Sequence, residues 1–238
     1  MLWYKTWLET RARFLISLLG ILSLCSYSVL HGELQAEPWS SPSYYNYVLS
    51  EGYVLLAVMW VFAVTLLLMG GLLREQSLGS APFTLGLPVS RRRLMAVRIG
   101  MAALQAGAIA VIPSGAMYLI ARYSGRAFSI SQSWFHLVLL LAGGAVFFAI
   151  ALLASSIVRG EYTAPVAAFG IMMAVSATLG DSKTRPFSPL AFAIGNEYFD
   201  PHSNLLVGHV PWLGASLWLC VAGLFLWIAL RVVERRDF

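Results

Sequence analysis

Six long apolar runs, joined by short polar or basic connections, decide what this chain can fold into. They extend from Phe14 to Leu30, Tyr53 to Leu73, Ile99 to Ala121, Trp134 to Ile157, Thr163 to Leu179 and Trp212 to Leu230. Each holds 17 to 24 residues, close to the ~20 that a helix rising 1.5 Å per residue needs to cross roughly 30 Å of hydrocarbon. Strands would cross with about ten residues and would alternate in polarity, which these runs do not. Of the 238 residues, 59% are hydrophobic and 11% charged, against about 25% charged in an ordinary soluble domain. A soluble core cannot hide so much apolar surface. The sequence predicts an all-α membrane protein, one transmembrane domain over 1–238 with six transmembrane helices.

The charged residues orient it. With both termini cytoplasmic, Lys5, Arg11, Arg13, Arg74, Arg91, Arg92, Arg93, Arg98, Arg159, Arg231, Arg235 and Arg236 lie inside, and only Arg122, Arg126, Lys183 and Arg185 lie outside. The bias toward inside lysine and arginine selects this orientation. The acidic residues divide almost evenly, as expected if they carry little of the signal. The net charge of +5 therefore reads as topology. Nucleic acid is not an expected partner, because the basic residues punctuate span ends instead of forming a stripe with interleaved aromatics. Cys25 and Cys220 fall within apolar runs, giving neither a disulfide framework nor metal-ligand spacing. Leu24 is too bulky to precede a lipidated cysteine and no small-residue cleavage site follows, so the first run is expected to be a retained span.

Ahead of that run, residues 1–13 mix Leu2, Trp3 and Trp7 with Lys5, Glu9, Arg11 and Arg13, a pattern predicting an interfacial helix before the chain turns inward. In the third span Ala102, Ala106, Ala110 and Ser114 recur every fourth residue, a small-residue face that lets another backbone come close. Pro113 is expected to kink that helix, Gly143 and Gly144 offer a second close-approach surface, and Pro165 stands where a helix start tolerates proline. No span carries an acidic or basic residue near its centre. That weighs against an ion- or proton-coupled carrier.

Outside, 180–211 mixes apolar and polar residues and is long enough for short helices on or in the outer leaflet. Its Glu197, Asp200, His202 and His209 have irregular spacing and read as solvated loop residues; no metal site is expected. Ser114 and His136 on successive spans resemble the nucleophile and base of an intramembrane protease. Ser114 is better explained by the small-residue face, and no catalytic residues are expected. No phosphate-binding loop occurs, so ATP would be handled by another chain.

Between the second and third spans runs Arg74-Glu75-Gln76-Ser77-Leu78-Gly79-Ser80-Ala81-Pro82-Phe83-Thr84-Leu85-Gly86-Leu87-Pro88-Val89-Ser90-Arg91, followed by Arg98. Arginine-glutamate, then glycine-serine, then leucine-proline-valine-serine-arginine in this cytoplasmic loop resembles the permease subunits of ABC-2 type transporters. The six-span layout and the charged tail Glu234-Arg235-Arg236-Asp237-Phe238 agree. The resemblance implies two permease copies and two cytoplasmic ABC ATPase subunits, which bind ATP and magnesium; this chain would hold no cofactor. It also maps a coupling element onto 74–98, with Arg74, Glu75, Leu78, Gly79, Phe83, Leu85, Pro88 and Arg91 as its residues. A helix bearing Leu78, Phe83 and Leu85 suits an apolar groove, with Arg74 and Glu75 charged at its rim. Gly79 and Pro82 predict a broken element. Arg159 and Glu161, between spans four and five, are a candidate second contact.

The expected function is therefore an exporter's membrane subunit in a bacterial-type cytoplasmic (inner) membrane, moving an amphipathic or hydrophobic substrate. One alternative is a membrane subunit that passes ATPase motion to a periplasmic partner in assembly or maturation. A third is an intramembrane enzyme. The interface between two copies is expected on the second and fifth spans, leaving the Ala102 to Ser114 face to pack within the subunit.

Overall fold

The computed structural model describes residues 2–31, 42–68, 91–124, 129–157, 163–179, 187–195, 197–200, 202–203 and 205–235. Seven helices lie within them: α1 (Leu2–His31), α2 (Pro42–Leu67), α3 (Arg91–Tyr123), α4 (Ile130–Ile157), α5 (Thr163–Thr178), α6 (Pro189–Ile194) and α7 (Trp212–Arg235). A two-residue antiparallel hairpin, β1 (Phe199–Asp200) and β2 (Leu205–Leu206), lies between α6 and α7.

Five helical stretches are long and apolar enough to span a bilayer: Leu2–Leu30, Val48–Leu67, Arg93–Tyr123, Ile130–Ile157 and Trp212–Val233. The chain is a multi-pass membrane protein. The fifth expected span is described as the 16 residues of α5, a rise of about 24 Å, short of a full hydrocarbon thickness. Its apolar part, Val166–Val175, falls in a shorter class than the other five.

Contacts fix the directions of the helices. Trp3 lies against Gly100, and Gln105 Nε2 donates to Thr10 Oγ1 at 2.8 Å, so α1 and α3 run parallel. Gly52 sits beside Ser28 and Val29 at the far end of α1 and beside Met117 of α3, so α2 returns antiparallel to both. Tyr53 meets Ser133 while Trp60 meets Gly144, which makes α4 parallel to α2. At one end Leu94, Met95 and Val233 form a cluster with Leu2 and Leu230. The start of α1, the start of α3 and the finish of α7 therefore share that end of the bundle.

Burial grades the helices. About two thirds of α2's apolar window and nearly three quarters of α4's are buried, whereas α1 and α7 are mostly exposed. The outward side chains of α1 and α7 include Leu15, Ile16, Leu19, Leu213, Leu217 and Leu224. Such a surface is stable against lipid and not against water.

The small-residue face behaves as its spacing predicts. Ala102, Ala106, Ala110 and Ser114 are all buried, and Trp60 Nε1 reaches across to donate to the Ala106 carbonyl at 2.8 Å. Only a small side chain at 106 leaves the helix carbonyl open to an indole from the next helix. Pro113 is buried without interrupting α3.

One expectation needs correction. Residues 2–13 do not form a separate interfacial helix, because α1 is unbroken from Leu2 to His31. Thr6 and Thr10 hydroxyls bond back to the Leu2 and Thr6 carbonyls, and Glu9 and Thr10 are held by Arg98 and Gln105 of α3. The first turns are thus tied to α3 and continue the helix. In the region 180–211, where short helices are expected, the described residues form one short helix and, beyond that expectation, the hairpin. Ser188 Oγ accepts from Ala191 N at 3.3 Å to cap α6, and Gly195 at φ 86° closes it with bonds to the Ala191 and Phe192 carbonyls. That left-handed conformation is where glycine is cheapest.

Candidate functional site

Residues 74–90 of the segment expected to couple to an ATPase lie outside the described residues, and 91–98 form the start of α3. Outside lie Arg74, Glu75, Leu78, Gly79, Phe83, Leu85 and Pro88, and also the second contact Arg159 and Glu161. Arg91 is the first residue of α3. What the fold supplies is the pair of anchors on either side: Leu67 and Leu68 at the end of α2, and Leu94 and Met95 in the second turn of α3, are all buried.

From those anchors the coupling between helices can be traced by contact. Trp60 of α2 is 2% exposed, bonds α3 at Ala106 and covers Gly144 of α4. A methyl group built on Gly144 would stand 2.6 Å from Trp60 Cζ3. Two turns nearer the opposite end, the Tyr53 hydroxyl and Ser133 Oγ lie 2.6 Å apart, and Ser114 of α3 also bonds Tyr53. The His136 ring stacks on Tyr53 at a centroid distance of 4.2 Å with planes 3° apart. Two polar links therefore tie α2 to both neighbours, so α2, α3 and α4 should move together.

The same geometry answers the serine and histidine reading. Ser114 and His136 are both buried and close to Tyr53, but the imidazole lies face to face with the phenol, and the hydroxyl partner of Ser114 is Tyr53. A nucleophile needs its base in line with the hydroxyl proton. This arrangement is a polar clasp among three helices.

On the opposite end from the termini, Gln132 holds the hairpin to α4. Its Nε2 donates to the Leu206 carbonyl at 2.8 Å and its Oε1 accepts from Leu206 N at 3.1 Å, so the side-chain amide pairs with β2 as a further strand would. Asp200 accepts from Ser203 Oγ at 2.7 Å and from the amides of His202 and Ser203. The Ser203 hydroxyl above all, with the His202 amide, lowers its carboxyl pKa. Burial raises that of Tyr198, helped by Glu197. Asp200 is thus occupied in closing its own turn, and among the described residues no three of His, Cys, Asp or Glu converge. Glu197, Tyr198, Phe199, Asp200 and Val207 line a shallow depression of about 280 Å³.

Sequence reasoning passed over Trp60, Tyr53 and Gln132. A tryptophan in mid-span facing an alanine stripe and a glycine pair was the available signal for the first. No protein-family model matches the chain, and no curated protein sequence matches it.

Proposed function

We propose that this chain is the transmembrane permease subunit of an ABC-2 type exporter, working as a pair of copies with two cytoplasmic ATPases that bind ATP and magnesium. One observation carries most weight. The connection from α2 to α3, with its arginine-glutamate and with a leucine-proline-valine-serine-arginine run that ends on Arg91 of α3, joins them at the bundle end where Leu2, Leu94, Met95, Leu230 and Val233 meet. That end also bears Lys5, Arg11, Arg13, Arg93, Arg98 and Arg231, which favours a cytoplasmic assignment. In this reading ATPase closure pushes the segment, buried anchors pass the push to α2 and α3, and the Trp60 and Tyr53 links carry it to α4. The six-span topology then counts α5 as a short crossing. Two copies would meet along α5 and the narrow exposed strip of α2 at Phe62 and Leu66, since the rest of α2 is largely occupied by its own chain. The cargo is amphipathic or hydrophobic, moving outward from a bacterial-type inner membrane. The hairpin locked by Gln132 favours a second reading, in which the outer end passes this motion to a periplasmic partner.

Glu75→Lys tests the coupling. Inverting one rim charge should lower ATPase co-purification or transport-coupled hydrolysis about tenfold, while membrane insertion is kept. Unchanged recovery and activity would mean that the segment is only a solvated loop. Topology has its own measurement: reporters fused after Phe238 and within Ser40 to Tyr47 should give opposite signals, and equal signals would defeat the orientation.

A further inference from the structure

The hairpin has two edges, and only one of them is closed. Val207 N–H donates to the Tyr198 carbonyl, while Phe199 lies opposite Leu206 and Asp200 opposite Leu205. In an antiparallel ladder, opposed pairs alternate between those that exchange backbone bonds and those that do not. Phe199 and Leu206 are therefore a pair that does not, so the N–H and C=O of each point away from the other strand. On β2 this is visible: Leu206 N–H and C=O are both taken by Gln132. On β1 the same two groups of Phe199 have no partner among the described residues. The depression of about 280 Å³ borders this strand, lined by Glu197, Tyr198, Phe199, Asp200 and Val207.

An open strand edge is a template for another strand. What fits Phe199 is a residue that offers one acceptor and one donor in extended backbone, and Phe199 of a second copy offers both. Opposed antiparallel about a twofold axis, the two residues exchange two hydrogen bonds, the self-complementary arrangement of a symmetric pair. That register sets Tyr198 against the partner's Asp200, so no two carboxylates stand directly opposed. Closure on the far side fixes the number. With each β2 edge capped by its own Gln132, pairing stops at two hairpins, and Pro201 has no N–H to prolong the row past Asp200. β2 also touches α2, so the hairpin adjoins the helix assigned above to the meeting of two copies.

We propose that the β1 edge at Phe199 pairs with the same edge of a second copy, joining two hairpins into one four-stranded sheet at the end of the bundle opposite the termini. The proposal rests on the two-copy part of the reading above and not on its ATPase or its cargo. Two backbone bonds do not hold a membrane dimer by themselves; the helices supply the remaining area, and the hairpins fix the register between copies.

Single cysteines in the full chain lacking Cys25 and Cys220, oxidised in the membrane that expresses it, test the geometry. Phe199→Cys should form a copy-to-copy disulfide, because the Cα atoms of such a pair stand about 5.5 Å apart. Val207→Cys, in strands about 14 Å apart, lies beyond disulfide reach and should stay uncross-linked. So should Leu213→Cys, which is 88% exposed near the start of α7 and reports random collision. The dimer dissociation constant in mild detergent tests the backbone separately. Phe199→Pro removes the outward N–H, leaves the hairpin's own bonds as edge strands allow, and should weaken dimerisation about tenfold for two lost bonds. Phe199→Ala keeps the N–H and should change it little. Equal cross-linking at all three positions, a Phe199→Ala chain as weak as Phe199→Pro, or a Phe199→Cys bond to a different protein overturns the proposal. It is also overturned if Phe199→Cys gives no disulfide while Met173→Cys, on the exposed face of α5, joins the copies; the two-copy reading then survives. If neither position joins them, both fall.

Discussion

Trp60→Ala should lower the unfolding free energy of the bundle by about 3–5 kcal/mol, the range for truncating a large buried aromatic. The side chain is 2% exposed, and α2, α3 and α4 all touch it. Its loss opens a cavity at the junction and removes the indole donor from the Ala106 carbonyl. A hydrogen bond between membrane helices is modest on its own, about 1 kcal/mol, so lost packing should dominate. The partner substitution makes this decisive. In the wild-type chain Gly144→Ala forces a methyl against the indole at 2.6 Å, which should cost about 1–3 kcal/mol as overpacking. In the Trp60→Ala background the same methyl enters the vacated space, and its effect should vanish or change sign. Contacting residues couple in this manner, whereas distant ones add. Denaturation in mixed detergent of the four chains measures the cycle, and simple additivity would show that Trp60 and Gly144 are not in contact.

These effects show where the sequence was legible. Apolar length predicted the long helices, because a bilayer imposes about 20 residues per crossing whatever the packing. The four-residue period of Ala102, Ala106, Ala110 and Ser114 predicted a close-packed face, since small side chains at that spacing serve little else. The partner on that face was illegible: which tryptophan fills an alanine groove depends on helix order and rotation, and neither is written locally. The interfacial helix failed for a related reason. Residues 2–13 have interfacial composition, but composition is blind to the bonds from Glu9 and Thr10 to α3 that carry the helix straight through. Gln132 was missed because a lone glutamine near a span end is ordinary; only the hairpin lying opposite makes its amide a strand substitute. The expected coupling residues rest on their resemblance, since nearly all of them lie outside the described residues.

Gly143→Val should detach α6 from the middle of the bundle. Gly143 is 13 residues into α4 from Ile130, about 20 Å along a 42 Å helix, so the capped turn of α6 reaches the midpoint of the most buried helix. A Cβ at this position would stand 2.6 Å from the Pro189 carbonyl oxygen and 2.9 Å from both Ala193 N and Ala193 Cβ. Two of these three atoms are backbone, locked by the Ser188 and Gly195 caps, and cannot rotate away as a flexible side chain could. The strain must therefore move one helix from the other. α4 is held by Trp60, Tyr53 and α7, whereas α6 has six residues and a hairpin behind it, so α6 should yield. Phe192 would then leave its cluster with Phe135, Leu139 and Leu206, exposing the first half of α4. A cysteine replacing buried Ala191, in a chain lacking Cys25 and Cys220, reports the change. It should resist a membrane-permeant maleimide when Gly143 is intact and react about tenfold faster with valine there, the population shift that about 1.4 kcal/mol of overpacking produces. Unchanged labelling with a lowered unfolding free energy would mean that α4 bends and α6 stays seated. The helix that gives way reveals which of the two is the less firmly held: if it is α6, the hairpin end of the bundle opens by its withdrawal from Gly143 while the α2, α3 and α4 unit remains intact.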